Sequence, residues 1–136
     1  MNAIDTNVFV YAFDVDEAVK GVRALQLIES LPLGETVLLW QVACELGAVL
    51  SRIGSRARNV RDRQAAIDSV RTRFPLVCPT ENVLDNAWRL HRDLGLSYWD
   101  ALLIGACLDA GVIQLFTEDI QSRPIIQGVK ITNPFA

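Results

Sequence analysis

The sequence predicts an α/β fold: one domain with a parallel sheet of about four to five strands flanked by helices. Three observations carry this. The chain has 136 residues, the length of one ordinary domain. Its strand-length segments, such as Thr36-Val37-Leu38-Leu39, are continuously apolar rather than alternating, as strands covered on both faces must be. Between them lie helix-length segments with helical apolar spacing, so strands and crossover helices alternate along the chain. At 51% hydrophobic and 21% charged residues, with 8 Gly and 5 Pro, the composition excludes disorder and collagen-like order.

Each element has its own signal. Ala3-Ile4-Asp5 opens as a short strand. From about Glu17 to Leu31, Val19, Val22, Leu25 and Ile28 keep helical spacing, and Pro32 and Gly34 close the segment. Thr36 to Leu39 is a strand, and Gln41 to about Ile53 is helical through Val42, Leu46, Val49 and Leu50. Helix resumes from about Arg58 to Arg73, where Pro75 stops it. Leu76-Val77-Cys78 reads as a third strand, and Pro79 and Thr80 open a helix that runs to about Leu94 and ends at Gly95. Ser97 caps a helix from Tyr98 to Ala110, closed by Gly111. Ile113 to Thr117 is a fourth strand and Lys130 to Thr132 a fifth. No linker, low-complexity stretch or repeat divides the chain, so residues 1–136 are expected to form a single domain.

Several function classes drop out at once. The longest apolar run, Ala101 to Leu108, is interrupted by Gly105 and is too short to span a bilayer. The opening Met1-Asn2-Ala3-Ile4-Asp5 carries an acid where a secretory signal needs basic and then apolar residues, so a cytoplasmic protein is expected. Cys44, Cys78 and Cys107 are odd in number and far apart, which argues against a disulfide scaffold or zinc knuckle and for small residues packed in a reducing compartment. His91 is the only histidine, which excludes two-histidine zinc sites, and no nucleophile elbow accompanies it. Any chemistry here is done with carboxylates.

The formal net charge of −3 hides an uneven distribution. Residues 51–73 hold Arg52, Arg56, Arg58, Arg61, Arg63, Arg71 and Arg73 against Asp62 and Asp68, a local balance of +5. Arginine's planar fork matches two phosphate oxygens, so a basic stripe beside an acidic remainder is what a polyanion site that also holds cations looks like. A solvated helical face with pairs such as Asp62 to Arg58 explains the same residues.

Four carboxylates stand out. Asp5 and Asp119 lie just past apolar strands, where parallel sheets bind ligands. Glu45 shares the stripe of Val42, Leu46 and Val49, and Asp100 that of Leu103, Ile104 and Cys107, and neither stripe supplies a cation. Such a set suits a hard divalent cation, Mg²⁺ or Mn²⁺, which prefers oxygen ligands. Each acid also has a local structural use. Asp100 is three residues after Ser97, as in a capping box; Asp5 suits an Asx-turn or N-cap for Val8 to Tyr11; Glu45 suits a half-exposed helix edge; Asp119 suits a turn. Glu118 beside Asp119 leaves open which of the two faces the site.

The opening Ile4-Asp5-Thr6-Asn7-Val8-Phe9-Val10-Tyr11 resembles the start of PIN-domain ribonucleases, especially VapC-type toxins of bacterial toxin–antitoxin pairs. Gln41-Val42-Ala43-Cys44-Glu45-Leu46, Ser97-Tyr98-Trp99-Asp100-Ala101-Leu102-Leu103 and Phe116-Thr117-Glu118-Asp119-Ile120-Gln121 are similar to the family's second, third and fourth acid motifs, in order. Gly128-Val129-Lys130-Ile131-Thr132-Asn133-Pro134-Phe135 is similar to its last strand. Two departures stand out. Ser97 occupies a position where many members carry another acid, leaving a second metal one ligand short. Gln121-Ser122-Arg123-Pro124 lacks the glycine that relatives commonly have there.

The resemblance implies a metal-dependent endoribonuclease that hydrolyses RNA to 5′-phosphate and 3′-hydroxyl products with Mg²⁺ or Mn²⁺. Asp5, Asp100 and Asp119 would be metal ligands, and Glu45 a further ligand or the orienter of the attacking water. Thr6, Asn7 and Thr117 would support them by hydrogen bonding. Arg52, Arg56, Arg58, Arg61 and Arg63 would position the RNA backbone. The resemblance also implies a homodimer and a cognate antitoxin whose tail occludes the acids. Two rivals remain: a non-catalytic RNA- or protein-binding module of the same fold, and an aspartate-nucleophile phosphatase. The phosphatase wants a second Asp where Asn7 stands and a lysine clamp, from a chain whose only lysines are Lys20 and Lys130.

Overall fold

The computed structural model describes residues 1–52, 59–120 and 123–136. In order they form β1 (Asn2–Ile4), α1 (Thr6–Phe13), α2 (Ala18–Ser30), β2 (Thr36–Leu39), α3 (Trp40–Val49), α4 (Val60–Arg73), β3 (Leu76–Val77), α5 (Glu81–Leu94), α6 (Tyr98–Asp109), β4 (Gln114–Phe116), β5 (Ile125–Ile126) and β6 (Val129–Thr132). The strands make one sheet ordered β3-β2-β1-β4-β6-β5. Every neighbouring pair is parallel except β5 with β6. The α/β class and the helix-flanked parallel sheet are as the sequence predicts.

The sheet has one strand more than the upper expectation. The extra strand, β5, is a two-residue edge strand joined to β6 through Gln127 and Gly128, at φ 51° and 85°. Two consecutive positive φ values give the turn that matches strand twist, usually signalled by Asn-Gly. Glutamine in place of asparagine conceals it. Of the two local roles that the sequence offers Asp5, an Asx-turn or an N-cap for Val8 to Tyr11, it takes the N-cap: helix α1 starts at Thr6, directly after β1, and runs to Phe13. Ile53 and Arg58, the expected ends of the flanking helices, lie outside the described residues.

The central strands supply the core. Ala3, Ile4, Val37, Leu38, Leu39 and Leu115 are buried between helix layers. Helix α2 turns a different face inward from the one its valines suggest. Gly21 and Ala24 are buried, while Val19, Val22 and Leu25 are 74, 55 and 46% exposed. The reason is close approach: a Cβ on Gly21 would lie 3.0 Å from the Tyr11 carbonyl oxygen, so only a small-residue face fits against α1. Arg73 fastens the other end of α2, donating from Nε and Nη2 to the carbonyls of Ile28 and Glu29 at 3.0 and 2.9 Å. Among the described residues no helix is long and apolar enough to cross a membrane.

This topology decides where a site can lie. From β1 the chain crosses to β2 on one side, and β4 returns on the other. The carboxyl end of β1 is therefore a switch point, where diverging connections open a crevice. Asp5 begins there, Thr117 follows β4, and α3 starts at the end of β2. A short connection joins the C-terminus of α6 to the start of β4, so the N-terminal turn of α6, with Asp100, points back toward the same edge.

Two glycines test the packing. A Cβ on Gly105 of α6 would meet the Val83 carbonyl oxygen of α5 at 3.0 Å, whereas one on Gly47 of α3 meets nothing within 4 Å. Gly105→Val is expected to destabilise by about 2–3 kcal/mol through overpacking against backbone. Gly47→Ala is expected to stabilise by up to about 1 kcal/mol through helix propensity alone. Urea unfolding of both variants checks the opposite signs.

Candidate active site

The first residue beyond β1 is the centre of the site. Asp5 is 8% exposed, extended at φ −74°, ψ 158°, and bonded through its own N–H to the Phe116 carbonyl of β4. Its Oδ1 accepts from the Thr6 N–H at 2.7 Å, and its Oδ2 accepts from the Thr117 hydroxyl at 2.8 Å. The Asn7 amide nitrogen reaches Asp5 Oδ2 at 3.2 Å and Asp119 Oδ2 at 2.9 Å. Thr117 Oγ1 also accepts from the Asp119 N–H at 3.1 Å, which sets the turn after β4. The Thr6 hydroxyl donates to Glu45 Oε2 at 2.8 Å, and Gln41, one turn earlier on α3, donates to Oε1 at 3.0 Å. Six expected residues (Asp5, Thr6, Asn7, Glu45, Thr117 and Asp119) are therefore joined in one hydrogen-bonded network across α1, α3 and the end of β4.

Asp100 stands apart from that network. Its N–H donates to Ser97 Oγ at 3.2 Å, so Ser97 caps α6. The carboxylate is half-buried on the first turn of α6. Trp99 beside it lines a cavity of about 300 Å³ together with Glu45, which places the start of α6 next to the network. Glu45 is half-buried and Asp119 exposed, so the acids run from a buried floor at Asp5 to an open rim.

Glu118 and Asp119 point to different partners. Glu118 forms an ion pair with Lys20 at 3.0 Å and accepts from the Tyr11 hydroxyl, while Asp119 meets Asn7. Lys20 also lies 4.7 Å from the centre of the Tyr11 ring. This clamp fixes the loop after β4 from the α1–α2 side. Sequence reasoning did not single out Tyr11, Lys20 or Gln41; only Gln41 left a signal, its four-residue spacing from Glu45.

The arginines divide. Arg52 and Arg61 are exposed on the α3–α4 side, and Arg56 and Arg58 lie outside the described residues. Arg63 is half-buried and donates from Nη1 to the Gly47 carbonyl at 3.0 Å, so it ties α4 to α3. All three cysteines are free, but only Cys107 is packed inside; Cys44 and Cys78 are exposed, contrary to the expectation of packing for all three. His91 is exposed on α5, with Nδ1 2.6 Å from the Leu96 carbonyl.

Burial dominates the electrostatics. It pushes the Asp5 carboxyl up to about 6, against the lowering effect of the Thr117 and Thr6 hydrogen bonds; the charges of Asp119 and Glu45 push the same way as burial. The Cys107 thiol, buried and near Asp5, is pushed up to about 12. Among the described residues no three His, Cys, Asp or Glu side chains close into a metal-holding group. The donors nevertheless fit a hard cation. They are all oxygen, and among the described residues Asp5 has no paired cation and the Asn7 Oδ1 is buried without a hydrogen-bond partner.

The PIN domain model matches residues 3–123 of the chain. No protein of curated function matches by sequence. The fold is similar to a toxin–antitoxin complex from Klebsiella pneumoniae at TM-score 0.70 and 16% identity, covering 98% of each chain. It is similar to VapBC2 from Rickettsia felis, bound to a promoter DNA fragment, at TM-score 0.68 and 16% identity over 97% of each chain. It is also similar to VapC20 from Mycobacterium tuberculosis, a toxin that cleaves the sarcin–ricin loop, at TM-score 0.68 and 20% identity over 88% of this chain and 90% of that one. With the family model spanning most of its length, this chain belongs to the PIN-domain family, a family of nucleases.

Proposed function

We propose that the protein is a metal-dependent endoribonuclease and the toxin of a toxin–antitoxin pair. The carrying observation is the single network that joins Asp5, Glu45 and Asp119 at the switch point of the sheet, with the first turn of α6 beside it. Asp5, Asp100 and Asp119 would hold Mg²⁺ or Mn²⁺, with Glu45 a fourth ligand or a water-orienting group. Such a cation, when bound, supplies a water of lowered pKa and takes up charge developing on the phosphate. The chain's own groups do the rest. Thr6 and Gln41 fix both oxygens of Glu45, leaving its remaining lone pairs to accept a proton from the attacking water. Thr117 holds Asp5, and the Asn7 amide bridges Asp5 and Asp119, so hydrogen bonds fix both carboxylates against their mutual repulsion. Exposed Arg52 and Arg61, with Arg56 and Arg58, would contact the RNA backbone.

A cognate antitoxin is part of the same proposal, supported by the toxin–antitoxin complexes that the fold resembles; the homodimer rests on the resemblance of the sequence to VapC-type toxins alone. The phosphatase reading has no support here, because Asn7 donates to carboxylates and Lys20 is committed to Glu118. A binding module that lacks chemistry would keep the same arrangement, and activity separates it from a nuclease.

With purified protein and total or transfer RNA, cleavage is expected in Mg²⁺ or Mn²⁺ and none in EDTA. Asp5→Asn, Asp100→Asn and Asp119→Asn are each expected to lower the rate by roughly a hundredfold or more. Intact RNA in every lane, from protein shown to be folded and free of antitoxin, would move the assignment to a binding module.

The Asp5 shift gives a second prediction, with an unusual sign. A carboxyl raised from 3.8 to about 6 binds its proton more tightly in the folded state. It costs no stability below pH 3.8, costs progressively more from there to 6, and above 6 its full cost is about 3 kcal/mol. Without divalent ions, stability from this group therefore falls as pH rises from about 4 to 6. Asp5→Asn is expected to flatten that fall and to match or exceed the parent's melting temperature at pH 7.5. Adding Mg²⁺ is expected to raise the melting temperature of the parent and not of the variant. Thermal scans across pH, with and without Mg²⁺, decide it; equal Mg²⁺ responses would remove Asp5 from the ligand set.

A further inference from the structure

All three tryptophans of this chain lie at the surface: Trp40, Trp88 and Trp99 are 47, 56 and 66% exposed. Exposed indole leaves a large apolar area in water, so three together call for an occupant. The rings are connected. Trp88 and Tyr98 have centroids 5.0 Å apart, and Tyr98 and Trp99 5.9 Å, forming an aromatic ridge that ends one residue before Asp100. Trp99 and Trp40 both line the cavity of about 300 Å³, together with Leu39, Val77, Leu102 and Glu45.

We propose that this cavity and its aromatic rim bind an unpaired nucleobase of the RNA substrate, next to the phosphodiester at the carboxylates. The inference rests on the ribonuclease reading and names a subsite for it. Glu45 belongs both to the cavity wall and to the acidic network, so the occupant must be continuous with whatever lies on the acids. A base meets that condition, being one glycosidic bond from the backbone. Among the described residues the lining contains no lysine or arginine, and its charged members, Glu45 and Asp109, are acids. Such a rim repels phosphate and accepts from the ring and exocyclic N–H groups of a base, so bases turn in and phosphates stay out. The volume is at the low end of ligand cavities (~300–1,000 Å³), enough for a planar group held between indoles. A docked helix would instead need a row of anchors over two or more turns, about 10 Å. Base stacking on aromatic side chains is how unpaired RNA is commonly held.

The test uses full-length protein in EDTA, with tryptophan fluorescence as readout and two probes: an adenylate hexaribonucleotide and an abasic ribose-phosphate hexamer. The adenylate probe is expected to quench fluorescence and to bind at least roughly tenfold more tightly than the abasic one. Trp99→Ala is expected to weaken adenylate binding roughly tenfold without changing abasic binding, and Trp99→Phe to restore most of the loss. Equal affinities for the two probes, or no loss in Trp99→Ala, would overturn the inference and assign the cavity to apolar side chains of a protein partner. Cleavage by the parent protein in Mg²⁺ is scored separately. Cleavage with equal probe affinities sinks the base subsite alone; Trp99-dependent binding without cleavage sinks the nuclease reading and leaves the base site standing.

Discussion

The carboxylate of Asp5 is the constraint around which the rest of the site is arranged. It is an acid buried at the switch point of a parallel sheet with no paired cation among the described residues, and burial above all pushes its titration toward neutrality. Such a group is tolerated only when hydrogen-bonded, and it is: the first N–H of α1 meets one oxygen, and a threonine hydroxyl and an asparagine amide meet the other. Those bonds do not neutralise it. The fold therefore accepts a destabilising charge where a ligand can offset it, a pattern expected of a site rather than of a structural core.

The neighbouring residues follow from that burial. Thr117 must leave β4 with its hydroxyl toward Asp5, and the same oxygen then receives the Asp119 N–H and turns the chain. Asn7, the second residue of α1, is left with its amide between two carboxylates and its oxygen buried without a partner among the described residues. Glu118, the next acid, cannot share that space and is drawn to the opposite side by Lys20 and Tyr11. Two adjacent acids are sorted by one lysine, which no spacing rule reveals.

What the sequence disclosed has a physical pattern. Strands without alternation, together with Gly95, Ser97 and Gly111, located the sheet and the α5–α6 pair because those signals are local. Acids placed at strand ends pointed to Asp5 and Asp119, since a parallel sheet has one ligand edge, and the structure joins the two through the Asn7 amide. The inward face of α2 was not legible, because close backbone approach at Gly21 outranked the valine periodicity. β5 was hidden by an edge strand of two residues. The Glu118–Lys20–Tyr11 clamp was hidden because its members are up to 107 positions apart. The arginines read as a single positive block, but Arg63 and Arg73 spend guanidinium donors on the carbonyls of neighbouring helices, which composition cannot anticipate.

Exposure is graded across the acids, and the gradient gives the site a direction. Asp5 is the buried floor, Glu45 and Asp100 are half-buried walls, and Asp119 is the open rim. On one flank Leu39, Val77 and Leu102 line an apolar cavity; on the other the Lys20–Glu118 pair closes the α1–α2 side. Asp119 and Trp99 are the exposed members of this arrangement, and Trp99 also lines the apolar cavity. A charge bound beside such an apolar wall is screened less than one in open water, which strengthens its interaction with Asp5. Acids set at one level on a wet surface would attract a cation without orienting what it carries. Set on a slope against an apolar wall, they would hold a cation at one end and leave the other open to the aromatic rim, which is the arrangement that the proposed nuclease and its base subsite require.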